Sequence, residues 1–351
     1  MRIEKKVISN LNLCYSIAPM VLPAGKHFLV AAEKKDPCYL FDEAGNKVET
    51  VWTEPGGVMT MLQVPGSDNS FLATHEFYSP NDSKNARIVI ATRTDEGVWD
   101  IKTLVNAPFV HRFGILESHG ENYLIVCCLK SGHEYKDDWT SPGQVFAALL
   151  PGDLSAYNSD HQLPLTLIMD GLTKNHGFSV YEDDSGQSAV VSAENGVFRF
   201  YPPKQAGGDW QIEQLFDQPV SDAVLLDFDG DGVPELGCLA PFHGNDLFIL
   251  KKDKEGAYQK VWEMGGDHKM WHASFACHIL GKPAWLVGAR KGERDLFMIT
   301  CEGGVFAATL IDHDVGPANA MHFINSEGKD IVIAANRETN EVAMYTLTKK
   351  R

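Results

Sequence analysis

The 351-residue chain has no apolar stretch approaching the ~18 residues that a membrane-crossing helix needs. Positive charge is also in short supply. Lys and Arg number 31 against 47 Asp and Glu, a formal net charge of −16 that argues against nucleic acid or an anionic membrane as a partner. The N-terminus, MRIEKKVISNLNLCYS, carries charges but lacks the apolar core of a signal peptide, so the expected location is the cytoplasm. The seven cysteines are odd in number and include no CxxC pair, which points away from a disulfide framework or a thiolate metal knot and towards reduced thiols in apolar strands. GxSxG, P-loop, GxGxxG and HExxH signatures are missing as well, so none of the common catalytic motifs applies.

What the sequence does contain is a repeated strand ending. Seven times an apolar run closes in a small-residue step and then a polar or turn residue: FLVAAE (28–33), FLATHE (71–76), IVCCLK (125–130), AVVSAE (189–194), LGCLAP (236–241), WLVGAR (285–290) and IVIAAN (331–336). Successive endpoints lie 43, 54, 64, 47, 49 and 46 residues apart, close to the length of a four-stranded propeller blade, about 40–50 residues. A further apolar run precedes each ending, as in FGILE (113–117) or ASFACHI (273–279). Others follow, as in DLFILKK (246–252) and YQKVWEM (258–264). Short strands of this kind, separated by Gly, Asp and Asn, predict antiparallel meanders. The expectation is an all-β, seven-bladed β-propeller of four-stranded antiparallel blades forming a single domain over 1–351. After VAMYTL (342–347) the chain has almost ended, so residues 2–9 are expected to supply the outer strand of blade seven and close the ring.

Strand direction alternates in a meander, which assigns residues to faces of the disc. The residues leading into each first strand and those closing each second strand share one face, at the mouth of the central channel. Three first strands begin with histidine, in Val110-His111-Arg112-Phe113, Asn175-His176-Gly177-Phe178 and Trp271-His272-Ala273-Ser274. At the same position blades one, two, five and seven place residues near Ser16, Gly57, Asp222 and Asn319. The second-strand endpoints add Glu33, Glu76, Lys130, Glu194, Arg290 and Asn336 to the same mouth. Between the second and third strands of blade three, SGHEYKDDWTSPGQ (131–144) overhangs it with Asp138 and Trp139, the latter suited to stacking on a sugar ring. His111, His176 and His272 could hold a divalent transition metal, with zinc, manganese and iron all compatible with nitrogen and oxygen ligands. Glu76 or Glu194 would then move a proton and Lys130 or Arg290 would steady an oxyanion, with Glu33, Arg112, Asp138, Trp139 and Asn336 as ligand contacts. The facing of His75, His243, His268 and His322 depends on register.

The most specific local motif is Asp227-Phe-Asp229-Gly-Asp231-Gly-Val233-Pro-Glu235, with carboxylates at alternate positions and glycine for a tight turn. It is either a calcium loop or an acidic β-turn without metal. Here the sequence resembles the FG-GAP or VCBS repeat propellers. That resemblance implies calcium ligands at Asp227, Asp229, Asp231 and Glu235 and the carbonyl of Val233, on the face opposite the histidines. The histidine-led first strands and the blade-three loop also resemble the propeller portion of aldos-2-ulose dehydratase and related bacterial propellers, which implies metal-assisted elimination on a keto-sugar at the channel mouth. Two functions follow: a metal-dependent sugar lyase, dehydratase or isomerase, or a non-catalytic propeller that binds a small ligand or a protein partner at that face.

Overall fold

A computed structural model describes residues 1–350 and contains strands but no helix among them. The apolar runs, alternating in and out with period two, become 28 strands in seven four-stranded antiparallel sheets. Strands β2–β5 (14–52) form blade one, β6–β9 (61–106) blade two, β10–β13 (110–172) blade three and β14–β17 (177–216) blade four. Blades five and six are β18–β21 (222–263) and β22–β25 (268–312). Blade seven takes β26–β28 (317–348) from the end of the chain and its outer strand, β1 (Arg2–Asn10), from the beginning. β1 pairs antiparallel with β28 (Glu341–Thr348), from Arg2 opposite Thr348 to Asn10 opposite Glu341, so the expected ring closure is present.

First strands of neighbouring blades touch one another around the axis, β2 with β6 and β26, β14 with β18, and β22 with β26, which makes them the innermost strands. Apolar side chains fill the layers between blades and leave no single central core. One such layer joins Leu29, Leu40 and Trp52 of blade one to Phe71 and Val89 of blade two, and another joins Leu239 and Ile249 of blade five to Trp271 and Trp285 of blade six. All seven cysteines are free thiols, five of them buried.

Between blades five and six the Trp285 ring of β23 (Lys282–Gly292) lies directly against Gly237 of β19 (Glu235–Ala240). A Cβ built there would lie 2.8 Å from the Trp285 ring. Trp285 is fully buried and its Nε1 donates to Ser274 Oγ at 3.0 Å, so the indole has nowhere to retreat. Gly237→Ala should therefore overpack this layer and destabilise the fold by about 1–3 kcal/mol. Urea denaturation checks this, and an unchanged midpoint would mean that the ring can move after all.

Candidate metal centre

The mouth is shaped by a backbone irregularity repeated from blade to blade. Pairing of first and second strands skips one residue between Cys14 and Ser16, Val110 and Arg112, Trp271 and Ala273, and Pro317 and Asn319. The extra residues are Tyr15, His111, His272 and Ala318. A bulge of this kind breaks the in-out alternation and re-aims the side chain of the added residue. In blades four and five the corresponding residues, His176 and Ser221, sit just before β14 (Gly177–Asp183) and β18 (Asp222–Leu226), with their amides bonded to Ser192 O at 3.1 Å and Leu239 O at 2.7 Å. The equivalents of the histidines in blades one, five and seven are thus Tyr15, Ser221 and Ala318, one residue before the expected Ser16, Asp222 and Asn319.

These residues form a hydrogen-bonded belt. Thr60 Oγ1, the blade-two equivalent in place of the expected Gly57, donates to His111 O at 3.1 Å. His111 Nδ1 bonds His176 O at 3.3 Å, His176 Nδ1 bonds Ser221 O at 3.2 Å, and His272 Nδ1 bonds Ala318 O at 2.8 Å. A carbonyl oxygen can only accept, so in each ring Nδ1 carries the proton and Nε2 keeps its lone pair. Tyr15 donates its hydroxyl to His272 Nε2 at 3.0 Å, whereas His176 Nε2 is buried with no partner.

A fourth imidazole, His243, completes the cluster from the turn that follows β19 (Glu235–Ala240). Its ring centre lies 5.1 Å from that of His176 and 5.7 Å from that of His272, and Phe242 stacks on it at 4.0 Å. Ligand nitrogens of His176, His243 and His272 lie within 4.8 Å of one another, while His111 packs its ring on His176 at 4.4 Å. Burial holds all four rings neutral. Desolvation is the main cause for His111, His176 and His272, each held well below the ordinary histidine value. Arg112 adds to it at His111, the other imidazoles at His176, and Arg290 at His272. His243 is lowered to about 4 by burial, helped by Arg290. Beside them, burial pushes the Asp222 carboxyl up to about 7 against the pull of Arg112. Arg112 itself donates from Nη1 to Met59 O at 3.0 Å.

The charged endpoints do not face the mouth as free groups. Glu33 pairs with Arg337, Arg337 with Glu338 at 3.0 Å and Glu338 with Arg290 at 2.9 Å, a chain of alternating charge across blades one, seven and six. Glu76 pairs with Arg87, and buried Asn336 donates from Nδ2 to the Tyr345 hydroxyl at 3.0 Å. Lys130 was expected to steady an oxyanion, yet it is wholly buried. Its ammonium donates to Asn81 Oδ1 at 3.1 Å and Asp138 O at 2.7 Å and lies 4.1 Å from the centre of the Trp139 ring, so it fastens the blade-three loop. Desolvation draws its pKa down while Asp138 and Asp137 oppose. Asp138 shapes the same loop: its carboxylate accepts from the Thr140 hydroxyl and amide and from the Glu134 amide, which holds it at about 2. His75 is packed against Trp52 in the layer between blades one and two, and His322 bonds Asp330 at 2.9 Å.

Two residues of the lip went unread in the sequence. Lys174, two positions before His176, pairs with Glu194 and places its ammonium 5.5 Å from the Trp139 ring and 5.4 Å from Phe242. Phe242 meets Trp139 edge to face at 5.4 Å. His243 and Lys174 both stand at positive φ, 51° and 52°, in connections where strand alternation gives no facing.

On the opposite side, the acidic motif forms the turn between β18 and β19. Asp227 accepts from the amides of Gly230 at 2.8 Å and Gly232 at 2.9 Å, and Asp231 from that of Val233 at 2.9 Å. Oxygens of Asp227, Asp229 and Glu235 lie within 4.8 Å of one another, so the donor set fits a hard cation. Among these acids stands the ammonium of Lys251, paired with Asp229, with Asp231 at 2.8 Å and with buried Glu235 at 2.9 Å. Burial works against the Lys251 charge, and the carboxylates nonetheless raise its pKa above the ordinary value.

No protein-family model matches the chain, and no curated protein sequence matches it. Among solved structures it is similar to the periplasmic gluconolactonase of Pseudomonas aeruginosa, with a TM-score of 0.59 and 14% identity over 97% of this chain and 93% of that one. It is also similar to a streptogramin B lyase, with a TM-score of 0.58 and 13% identity over 99% and 98% of the two chains. The soluble aldose sugar dehydrogenase of Escherichia coli gives a TM-score of 0.50 and 11% identity over 99% and 100%. At such identities these likenesses establish the shared seven-bladed propeller fold and nothing finer.

Proposed function

We propose that the channel mouth is a divalent transition-metal centre held by His176, His243 and His272, and that the protein is a metal-dependent enzyme acting on a small carbohydrate or keto-sugar, of the lyase, dehydratase or isomerase type. One observation carries this reading. Three imidazoles at equivalent positions spend Nδ1 on a backbone carbonyl of the next blade, the arrangement that fixes the tautomer of a metal-binding histidine, and one of them leaves a buried Nε2 with no partner.

A bound zinc, manganese or iron ion would polarise a carbonyl or hydroxyl oxygen of the substrate. The residues of the chain define how that substrate arrives. His111, His176 and His272 are only 1–3% exposed, so a sugar ring does not fit among them, and an ion held by His176, His243 and His272 would take His272 Nε2 from the Tyr15 hydroxyl. A substrate would approach on the side of half-buried His243, Phe242 and Trp139, which present aromatic surface to it. Glu194, held by Lys174 beside those rings, is the carboxylate placed to move a proton, and Lys174 is the cation placed to meet a developing oxyanion. Glu76 is tied to Arg87, and Lys130, although nearer the Trp139 ring, is wholly buried and committed to Asn81 and the Asp138 carbonyl. The gluconolactonase and the sugar dehydrogenase named above are sugar enzymes on the same fold, which is consistent with this substrate class.

Chelator-treated protein titrated with Zn²⁺ or Co²⁺ tests the centre. His176→Ala, His243→Ala and His272→Ala should each weaken binding at least about 10-fold, while Glu194→Gln should leave metal content intact and depress turnover of a keto-sugar by about 10²-fold or more. Equal metal uptake by the triple histidine variant would defeat the reading. Metal uptake without turnover of any sugar would leave a binding propeller.

The metal-free protein should also lose stability in acid. Its buried imidazoles, including His75 at about 3, have folded pKa values below their unfolded value of about 6.5. Below that pH the unfolded chain binds more protons, so stability present above pH ~6.5 is lost as the pH falls, by up to about 1.4 kcal/mol per pH unit for each such ring. Asp222, raised to about 7, acts in the opposite sense over this range. Urea midpoints at pH 7, 6 and 5 should fall in that order. A flat profile would contradict the buried neutral cluster.

For the acidic loop, calcium would have to displace the Lys251 ammonium. Lys251→Ala should therefore bind Ca²⁺ at least about 10-fold more tightly than the parent chain, read by calorimetry. Equal affinity would show that Lys251 does not compete.

A further inference from the structure

We propose that blade six carries a second metal site, of zinc type, formed by Nε2 of His268, Oε2 of Glu293 and Oδ2 of Asp295. The site is separate from the channel-mouth cluster. The first two strands of this blade, β22 (His268–Ile279) and β23 (Lys282–Gly292), are its longest and remain paired out to His268 opposite Gly292. His268 begins one strand, Glu293 follows the other, and Asp295 leads into β24 (Leu296–Glu302), so three separate backbone segments meet at this corner.

The geometry of the three groups is that of ligands around an ion that is not itself one of them. His268 Nε2 lies 3.5 Å from Glu293 Oε2 and 3.5 Å from Asp295 Oδ2, beyond hydrogen-bond length to either. Two ligand atoms bound to Zn²⁺ at 2.0–2.2 Å across a tetrahedral angle are separated by about 3.4 Å. The His268 side chain is 94% buried by its 6% exposure, and its Nε2 has no hydrogen-bond partner. Its Nδ1 bonds Gly265 O at 3.2 Å, which places the proton on Nδ1 and the lone pair on the atom facing the carboxylates. The ring cannot turn away, because it is stacked on Trp271 at 5.1 Å and meets Phe297 edge-on at 5.2 Å.

Asp295 is equally fixed. Its Oδ1 accepts from His313 Nδ1 at 2.8 Å and from the Asp314 amide at 3.1 Å, which leaves Oδ2 for the site. These bonds are the outer-shell contacts that orient a metal-binding carboxylate. Glu293, with 53% of its side chain exposed, supplies the flexible third ligand, and its exposed side leaves room for water as a fourth. One nitrogen and two oxygens suit Zn²⁺, and such an ion would pin the outer end of the extended hairpin to the turn before β24.

The test is the number of Zn²⁺ equivalents bound by chelator-treated full-length protein, with the zinc-induced rise in Tm as a second readout. The double variant Glu293→Gln/Asp295→Asn should bind one equivalent fewer than the parent and lose part of the rise in Tm. The single variant Glu293→Gln, altered only at an exposed side chain and so expected to fold, should bind this equivalent at least 10-fold more weakly. A chain with His176→Ala and His272→Ala should retain it, which separates this site from the mouth cluster whatever that cluster binds. If Glu293→Gln and the double variant take up as much zinc as the parent, with the same affinity and the same rise in Tm, the corner is an imidazole–carboxylate contact only and the proposal is overturned.

Discussion

Everything at the mouth depends on the side-chain-to-carbonyl bonds that link four of the innermost strands to the next blade. Bringing seven innermost strands to one axis exposes backbone carbonyls at their ends, and these need donors. A regular strand would aim alternate side chains into the inter-blade layers and leave the carbonyls unmet. One additional residue at the strand end, at Tyr15, His111, His272 and Ala318, turns the chain there, and at His111 and His272 the added side chain crosses to the neighbouring blade. Thr60 and His176, which stand just before their strands without a bulge, donate to the next blade in the same way. The same bonds that join the blades set the tautomers, so the chemistry of the cluster is a consequence of how the ring is held together.

The fold was legible because the features that build it are local. Each blade writes an apolar alternation and a small-residue strand ending into its own 40–60 residues, and the closing strand follows from the shortage of chain after Leu347. The histidines were legible through the repeat, since the same position in three blades carried the same residue. Their register was not, because a bulge adds a residue without a sequence signature of its own, which puts Tyr15 and Ala318 at the equivalent position beside Ser16 and Asn319. Lys174 escaped, and the facing of His243 stayed open, for a related reason. Both stand in connections, where alternation says nothing about direction.

Charge was the part least open to sequence reasoning. Glu33 and Arg290 were correctly placed at strand ends, but their partners Arg337 and Glu338 come from blade seven, 304 positions from Glu33 in the case of Arg337. The acidic loop repeats the point on the opposite face. Its carboxylates have the spacing of a calcium loop, yet Lys251 on β20 (Asp246–Lys252) reaches them across the sheet, and nothing within the nine-residue motif foretells a lysine 16 positions beyond Glu235. A motif specifies which ligands are available. The rest of the blade decides which cation competes for them.

The orphaned nitrogens carry the strongest physical reason for regarding these places as sites. A buried polar atom without a partner costs about 1–3 kcal/mol, and a neutral imidazole in an apolar layer is easily replaced by a residue with nothing to satisfy. His176 Nε2 and His268 Nε2 are both left in that condition while every other constraint on the ring is met: Nδ1 bonded, faces stacked, neighbours fixed. A fold whose local choices otherwise agree with one another breaks a rule where function requires it. The two positions break the same rule in the same way, with the lone pair turned towards other potential ligand atoms, and an ion would satisfy both.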